Sequence, residues 1–151
     1  MRADATALPV QIAVLTKSPT PGAVKTRLIP ALGAERAAQL QQQLIERALR
    51  TACAMPNARV TLWLAGDAAD SFIADCAQRF ALPVLPQVGA DLGARMHHAF
   101  AATAEPLLLM GTDCPQLQTR DLVSAEAALP HGWPDHSRHC SRPCHGEAQK
   151  C

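Results

Sequence analysis

Residues 11–17 read Gln-Ile-Ala-Val-Leu-Thr-Lys, and residues 18–22, Ser-Pro-Thr-Pro-Gly, follow them directly. The first segment is a short apolar run closed by polar residues, which is typical of a buried β-strand. The prolines and the glycine of the second segment stop any regular element. The fold is therefore predicted to begin with a buried strand that ends in a loop.

Beyond this loop, helix and strand patterns alternate. Residues 33–54 are rich in good helix formers, with Leu40, Leu44 and Ala48 at helical spacing, and predict a long amphipathic helix. A strand is predicted at 59–66, followed by a helix to residue 80 that is capped by Asp67 and carries Phe72, Ile73 and Cys76 on one face. A short edge strand at 83–87 and a helix at 92–104 come next, and then a central strand within 106–113 that is buried on both faces. The last predicted element is a helix at 119–129, capped by Thr119, with Leu122, Val123 and Ala127 pointing inward.

This alternation predicts an α/β fold, in which mostly parallel strands are joined by right-handed crossovers and helices cover both faces of the sheet. The expected architecture is Rossmann-like, with three layers in the order α/β/α. In such sheets ligands gather at the carboxyl ends of the strands. Residues 1–130 are predicted to form this single α/β domain.

Composition narrows the classes of partner. The chain has 151 residues and a formal net charge of +1, and its basic residues are scattered, so no nucleic-acid partner is expected. No apolar run is long enough to cross a membrane, and the N-terminal residues lack the pattern of a signal peptide, which favours a cytoplasmic protein. Cys53, Cys76 and Cys114 are expected to be buried thiols of a reducing compartment.

The composition changes abruptly after Pro130. Residues 131–151 hold almost no aliphatic side chain, and we interpret them as a disordered tail or, as a further hypothesis, as out-of-frame translation. The tail also holds side chains of the types that bind zinc, but no C-x-x-C pair occurs and the candidates crowd into one short run, which argues against a structural zinc site. These candidates are His136, His139, Cys140, Cys144, His145 and Cys151.

Cations concentrate in the loop after the first strand, at Lys17, Lys25 and Arg27. Arginine offers a planar fork that fits phosphate oxygens and lysine a compact charge, so the loop suits a pyrophosphate or triphosphate. Gly22 would allow the backbone to approach such a ligand closely. The alternative is a solvated, positively charged loop.

Asp113 follows the apolar strand within the stretch Gly-Thr-Asp-Cys-Pro, where small residues leave room above the strand end. A carboxylate there could hold Mg²⁺ or Mn²⁺, which needs only one or two protein carboxylates when phosphate and water complete its coordination. The alternative is an aspartate that caps the following turn.

Gln87, Asp91 and Arg95 surround the start of the helix predicted at 92–104, where an anion or a nucleobase edge could bind. Alternatively, Asp91 caps this helix and Arg95 pairs with it at the i,i+4 spacing. His97 and His98 on the same helix are interpreted as surface or packed histidines.

The stretches 17–30, 87–96 and 111–117 occur in the order and spacing of one family, and the pattern K-x-P-x-P-G-x-V-K-T-R-L within the first is specific. Over residues 10–130 the chain resembles the bacterial DUF2064 group. That group includes glycosyltransferases associated with radical-SAM or arsenosugar pathways and is related to GT-A glycosyltransferases and to guanylyltransferases.

The resemblance implies a metal-assisted transferase that takes a nucleoside diphosphate, a triphosphate or a nucleotide sugar and passes a sugar or nucleotidyl group to an unknown acceptor. It implies that Lys17, Lys25 and Arg27 bind phosphate and that Asp113 is the catalytic, Mg²⁺- or Mn²⁺-binding aspartate. Gln87, Asp91 and Arg95 would be supporting pocket residues.

The family pattern continues beyond residue 129 with a further strand, an aspartate- and glycine-rich segment and more helices. The resemblance therefore implies a GT-A-like fold that is incomplete at the C-terminus. The alternative function is a non-catalytic remnant or interaction module of the same fold.

Overall fold

The computed structural model describes residues 9–129. The elements are β1 (Val10–Lys17), a 3-10 turn (Thr26–Leu28), α1 (Ile29–Leu32), α2 (Ala34–Cys53), β2 (Ala58–Ala65), α3 (Ser71–Phe80), β3 (Val84–Pro86), α4 (Leu92–Ala101), β4 (Leu107–Gly111) and α5 (Thr119–Ala127). All the predicted strands and long helices are present. The loop after β1 also contains the 3-10 turn and α1, which the sequence pattern did not predict.

The four strands in this part of the chain form one parallel sheet with the order β3-β2-β1-β4. In the register of β1, Leu15 lies opposite Trp63 of β2 and opposite Gly111 of β4. The carboxyl ends of these three strands therefore meet at one edge of the sheet. This edge is where an α/β fold gathers ligand groups.

Side chains of β1 alternate between two apolar layers. Val14 belongs to a buried cluster with Ile45 of α2, whereas Leu15 belongs to a second buried cluster with Ala99 of α4. Since successive strand residues point to opposite faces, helices cover the sheet on both sides. The predicted three-layer α/β/α fold is confirmed.

The buried stripe of α2 is shifted from the predicted one. Ile45, Ala48 and Leu49 are buried, but Leu40 and Leu44 are only half-buried. The buried positions are Ala37, Ala38, Gln41, Ile45, Ala48, Leu49 and Ala52. They keep the period of an α-helix, with one polar residue among them.

Ion pairs lie along the exposed side of α2 and α3. Arg50 and Arg79 donate to the Glu46 carboxylate at 2.8 Å and 3.1 Å. The hydrogen bonds from Arg50 and then from Arg79 lower the pKa of Glu46. Because the groups are solvated, these pairs orient the two helices and add little to stability.

Two helix caps differ from the prediction. The side chain of Asp70, not Asp67, accepts from the first backbone N–H groups of α3, since the helix begins at Ser71. Asp67 instead closes the preceding turn by accepting from the Ala69 N–H. At α5 the N-cap is Gln118, whose backbone N–H donates to Asp121 in a capping box, whereas the Thr119 hydroxyl donates to the Thr51 carbonyl.

The predicted central position of β4 is wrong for the described sheet. β4 lies at its edge, and Leu107, Leu108 and Leu109 are half-buried. A continuous apolar run shows that a strand is covered on both faces, but it carries no information on how many neighbours the strand has.

Exposure corrects the predictions for four residues, Val123 and Ala127 of α5 and the cysteines Cys53 and Cys114. Leu122 is the buried residue of α5, where it joins the first apolar cluster, whereas Val123 and Ala127 are exposed. Of the cysteines, Cys76 is buried, and its burial raises the pKa of its thiol, but Cys53 and Cys114 are exposed free thiols. These three thiols are all free.

Two predictions remain, one on membrane-spanning helices and one on the tail. Within residues 9–129, none of the helices combines the length and the apolar character that a membrane span requires. The tail at 131–151, with its zinc and out-of-frame hypotheses, lies outside the described residues.

Gly66 fixes the loop after β1 against the end of β2. The Ser18 N–H donates to the Ala65 carbonyl, and the Ser18 hydroxyl accepts from the Asp67 N–H at 3.0 Å. Gly66 adopts a φ of 105°, and a Cβ on it would lie 2.3 Å from the Ser18 hydroxyl oxygen. Only glycine fits here, because both its backbone angle and its neighbour exclude a side chain.

We expect Gly66→Ala to lower the free energy of unfolding by about 3 kcal/mol, through backbone strain and the clash with buried Ser18. Gly33→Ala is the matched control, since Gly33 has a φ of 80° but open space around its Cβ position. It should cost about 1–2 kcal/mol from strain alone. Urea denaturation measures both values, and equal losses would contradict the role of the Ser18 contact.

Candidate functional site

A cleft of about 790 Å³ opens at the carboxyl ends of β1, β2 and β4. Its walls come from the strand ends, the loop after β1, α2 and the first half of α4. Six of the eight residues predicted for the site line this cleft, namely Lys17, Lys25, Arg27, Gln87, Arg95 and Asp113. Gly22 and Asp91 do not line it.

The loop after β1 is held in place from within. Val24 is buried, and the Lys17 ammonium donates to the Ala23 carbonyl at 2.9 Å. The Ala23 N–H in turn donates to the Thr20 carbonyl, which closes a tight turn. The backbone that carries Lys25 and Arg27 is therefore fixed at the rim of the cleft.

Lys25 has a left-handed backbone conformation, with φ 48° and ψ 37°. Such angles are unfavourable for a residue with a Cβ. Its ammonium donates to Asp113 Oδ1 at 2.5 Å, and the two side chains are 17% and 71% exposed. The structure thus joins the predicted cation and the predicted carboxylate as an ion pair, and Asp113 does not cap the following turn.

The two arginines of the cleft differ in how they are held. Arg27 is exposed at the end of the 3-10 turn, and within residues 9–129 its guanidinium has neither a hydrogen bond nor an ion pair. Arg95 Nε donates to the Gly89 carbonyl at 3.1 Å, which fixes its side chain along the start of α4. Arg27 is therefore the freer of the two donors for an incoming anion.

Gln87 ties the strand ends together. Its amide nitrogen donates to the Thr16 carbonyl at 2.8 Å and to the Trp63 carbonyl at 2.9 Å, at the ends of β1 and β2. Both amide hydrogens are used in this way, which orients the group. The carbonyl oxygen has no partner among the described residues, so Gln87 can offer a ligand an acceptor but no donor.

The residues around the start of α4 follow the predicted alternative in part. Asp91 caps the helix by accepting from the Ala94 N–H at 2.8 Å. Arg95 does not pair with Asp91, because its guanidinium turns to the Gly89 carbonyl. Gly22 has a φ of 81° in the exposed loop and faces open space.

The cleft also contains a residue that the sequence analysis missed. The buried side chain of Gln41 donates to the hydroxyl oxygens of Thr16 at 3.1 Å and of Thr112 at 3.5 Å. All three side chains are buried at the carboxyl ends of β1 and β4. Gln41 therefore connects α2 to the two strand ends that precede Lys17 and Asp113. Its position on the buried stripe of α2 was the signal that could have identified it.

The histidines of α4 lie outside the cleft lining. His97 is exposed, and the ring of His98 packs edge-on against Trp63, with 5.7 Å between the ring centroids. This agrees with their interpretation as surface and packed histidines.

The charge of the cleft is strongly positive. Its described lining holds four cationic side chains, Lys17, Lys25, Arg27 and Arg95, and one carboxylate, Asp113. Within residues 9–129, no group of three or more metal-binding side chains comes together. Asp113 therefore fits a divalent cation only if phosphate and water supply most of its ligands.

Comparison with known proteins identifies the family. The sequence pattern of DUF2064, described as an uncharacterized protein conserved in bacteria, matches residues 45–136. This chain belongs to the DUF2064 family. The matched segment of this DUF2064 protein includes Gln87, Arg95 and Asp113 and begins after the loop that carries Lys17, Lys25 and Arg27. None of the curated proteins matches the chain.

A solved structure shows a similar fold. It is the crystal structure of a "putative nucleotide-diphospho-sugar transferase" from Desulfovibrio desulfuricans G20, which superposes on this DUF2064 chain with a TM-score of 0.71 at 27% sequence identity. The match covers 81% of this chain and 55% of the other, so the chain spans about half the length of that protein.

Replacing Gln41 tests the network beneath the cleft. Gln41→Leu should lower the free energy of unfolding by about 1–3 kcal/mol, because it leaves buried hydroxyl groups without their partner. Gln43→Leu, at an exposed position of the same helix, should change stability by no more than about 0.5 kcal/mol. Thermal and urea unfolding measure both variants, and a loss for Gln41→Leu no larger than for the control would contradict the network.

Proposed function

We propose that this chain forms the donor-binding part of a transferase and binds the phosphates of a nucleotide-activated donor, such as a nucleotide sugar. The observation that carries the proposal is the convergence of Lys17, Lys25, Arg27 and Arg95 around one carboxylate at the carboxyl edge of a parallel sheet. The similar solved structure, named a "putative nucleotide-diphospho-sugar transferase", supports the proposal independently.

The charge balance favours a ligand with several negative charges. A ligand with a single carboxylate would leave two of the four cations without a negative partner, since Asp113 pairs with only one of them, whereas a diphosphate offers enough oxygens for several cations. Arg27 supports this reading, because its exposed guanidinium is free within the described residues to bind phosphate oxygens through two parallel N–H groups.

We assign Asp113 as the metal-binding and catalytic carboxylate. A Mg²⁺ or Mn²⁺ ion that arrives with the phosphates would offset the charge that develops on the leaving diphosphate. Lys25 and Arg27 would hold the diphosphate in place, and Gln87 would offer its carbonyl oxygen to a donor group of the same ligand. The transferred group is a sugar, whose transfer from a nucleotide sugar releases a nucleoside diphosphate, or a nucleotidyl moiety, whose transfer from a nucleoside triphosphate releases inorganic pyrophosphate; in both cases the leaving group is a diphosphate.

Ligand binding tests the proposal directly. We expect nucleoside diphosphates, triphosphates or nucleotide sugars with Mn²⁺ to stabilise the protein by about 2.7 kcal/mol at a concentration of 100 times the dissociation constant. Thermal unfolding with each ligand measures this gain. If no nucleotide shifts the unfolding temperature, with or without the metal, the proposed function is wrong.

The exposed arginine offers a sharper test. Arg27→Gln should weaken nucleotide binding tenfold or more, by about 1.5–3 kcal/mol, because it removes charge-assisted hydrogen bonds to phosphate. Arg47→Gln removes an exposed cation of α2 that lies outside the cleft lining, and it should leave binding unchanged. Titration calorimetry compares the two, and equal effects would place the ligand elsewhere.

A further inference from the structure

The ion pair between Lys25 and Asp113 occupies both groups that a metal-bound polyphosphate would need. The Lys25 ammonium lies 2.5 Å from Asp113 Oδ1, and both residues line the cleft. Lys25 is the more enclosed partner, at 17% exposure against 71% for Asp113. In this arrangement the ammonium stands where a divalent cation would bind the carboxylate.

Two competitions follow from this geometry. A divalent cation must displace the ammonium to reach Asp113 Oδ1, since two cations at the same oxygen repel each other. A phosphate must likewise compete with Asp113 for the Lys25 ammonium. A cation that binds Oδ1, or a phosphate that takes the ammonium, therefore breaks the ion pair and satisfies only one of its two partners.

The loop allows the exchange without backbone movement. Buried Val24 and the hydrogen bond from the Leu28 N–H to the Lys25 carbonyl fix the main chain on both sides. The lysine side chain has four rotatable bonds, so its ammonium can turn from a carboxylate to a nearby phosphate by changing rotamer. Only the side chain has to move.

We propose that the Lys25–Asp113 ion pair is a latch that makes the cleft select a polyphosphate already complexed with a divalent cation. The phosphate takes the Lys25 ammonium while the cation takes the freed Asp113 carboxylate, so the two ligands bind cooperatively and each binds weakly alone. The latch rests on the proposed function, because it assumes a phosphate ligand in the cleft. Since coupling between sites is reciprocal, each ligand raises the affinity for the other by the same factor.

Mn²⁺ alone tests the first competition. Lys25→Met removes the competing ammonium, and it should raise the affinity for free Mn²⁺ on the order of two- to fivefold, the size expected for a partly exposed ion pair. Lys17→Met removes a cleft cation that bonds to the Ala23 carbonyl instead, and it is the matched control for the general field. Electron paramagnetic resonance of unbound Mn²⁺ measures the affinities. A gain for Lys25→Met no larger than for Lys17→Met overturns the latch.

Inorganic pyrophosphate in the presence of EDTA tests the second competition. Asp113→Asn should tighten pyrophosphate binding on the order of two- to fivefold, because Lys25 becomes free. In a Lys25→Met background the same substitution should have almost no effect. Simple repulsion between Asp113 and phosphate predicts an equal gain in both backgrounds, so the double-mutant cycle separates the two explanations. Titration calorimetry measures the four affinities.

The outcomes distinguish the latch from the proposed function. An equal gain in both backgrounds overturns the latch but leaves phosphate binding in the cleft intact. If the wild-type protein binds neither pyrophosphate nor any nucleotide, the proposed function is wrong, and the latch as a selector of metal-bound polyphosphate is wrong with it. The side chains of Lys25 and Asp113 lie at the rim of the cleft and outside the buried clusters, so we expect every variant to fold. Thermal unfolding of each variant checks this.

Discussion

The parallel pairing of β1 with both β2 and β4 is the constraint on which the rest of the structure depends. Parallel strands end at the same edge of a sheet, and the register that sets Leu15 opposite Gly111 brings the segments after β1 and after β4 together. This pairing brings together residues that are far apart in the chain, such as Lys25 and Asp113. Apolar side chains on both faces of β1 maintain the pairing, because α2 and α4 exclude water from it on either side.

The cleft holds more positive than negative side chains, and contacts within the protein hold several of them in place. The four cations at the cleft rim repel one another, and the protein engages both lysines, Lys25 through Asp113 and Lys17 through the Ala23 carbonyl. Polar groups beneath the rim also have partners within the protein, since the amide groups of Gln41 and Gln87 donate hydrogen bonds to the strand ends. The main chain and the amide groups beneath the rim are thus fixed before an anion binds, and the side chain of Lys25 has to leave Asp113 to reach a phosphate.

Much of the fold could be predicted from the sequence, because hydrophobic periodicity reports burial and the alternation of strands with helices fixes the class. The cation loop and Asp113 could be predicted to share one edge for the same reason. The order of the strands could not be predicted, since an apolar run such as that of β4 is compatible with both a central and an edge position in a sheet. Helix caps were displaced by a few residues because several polar residues compete for each turn. The pairing of Lys25 with Asp113 and the buried network of Gln41 depend on distances between segments that no local pattern encodes.

The most direct test of the account is a crystal structure of the protein with a nucleoside diphosphate and Mn²⁺, in which anomalous scattering locates the metal. We expect the diphosphate to lie in the cleft in contact with Lys25 and Arg27, and the Mn²⁺ ion to bridge it to Asp113. A diphosphate bound at any other surface, or a metal bound away from Asp113, would contradict it.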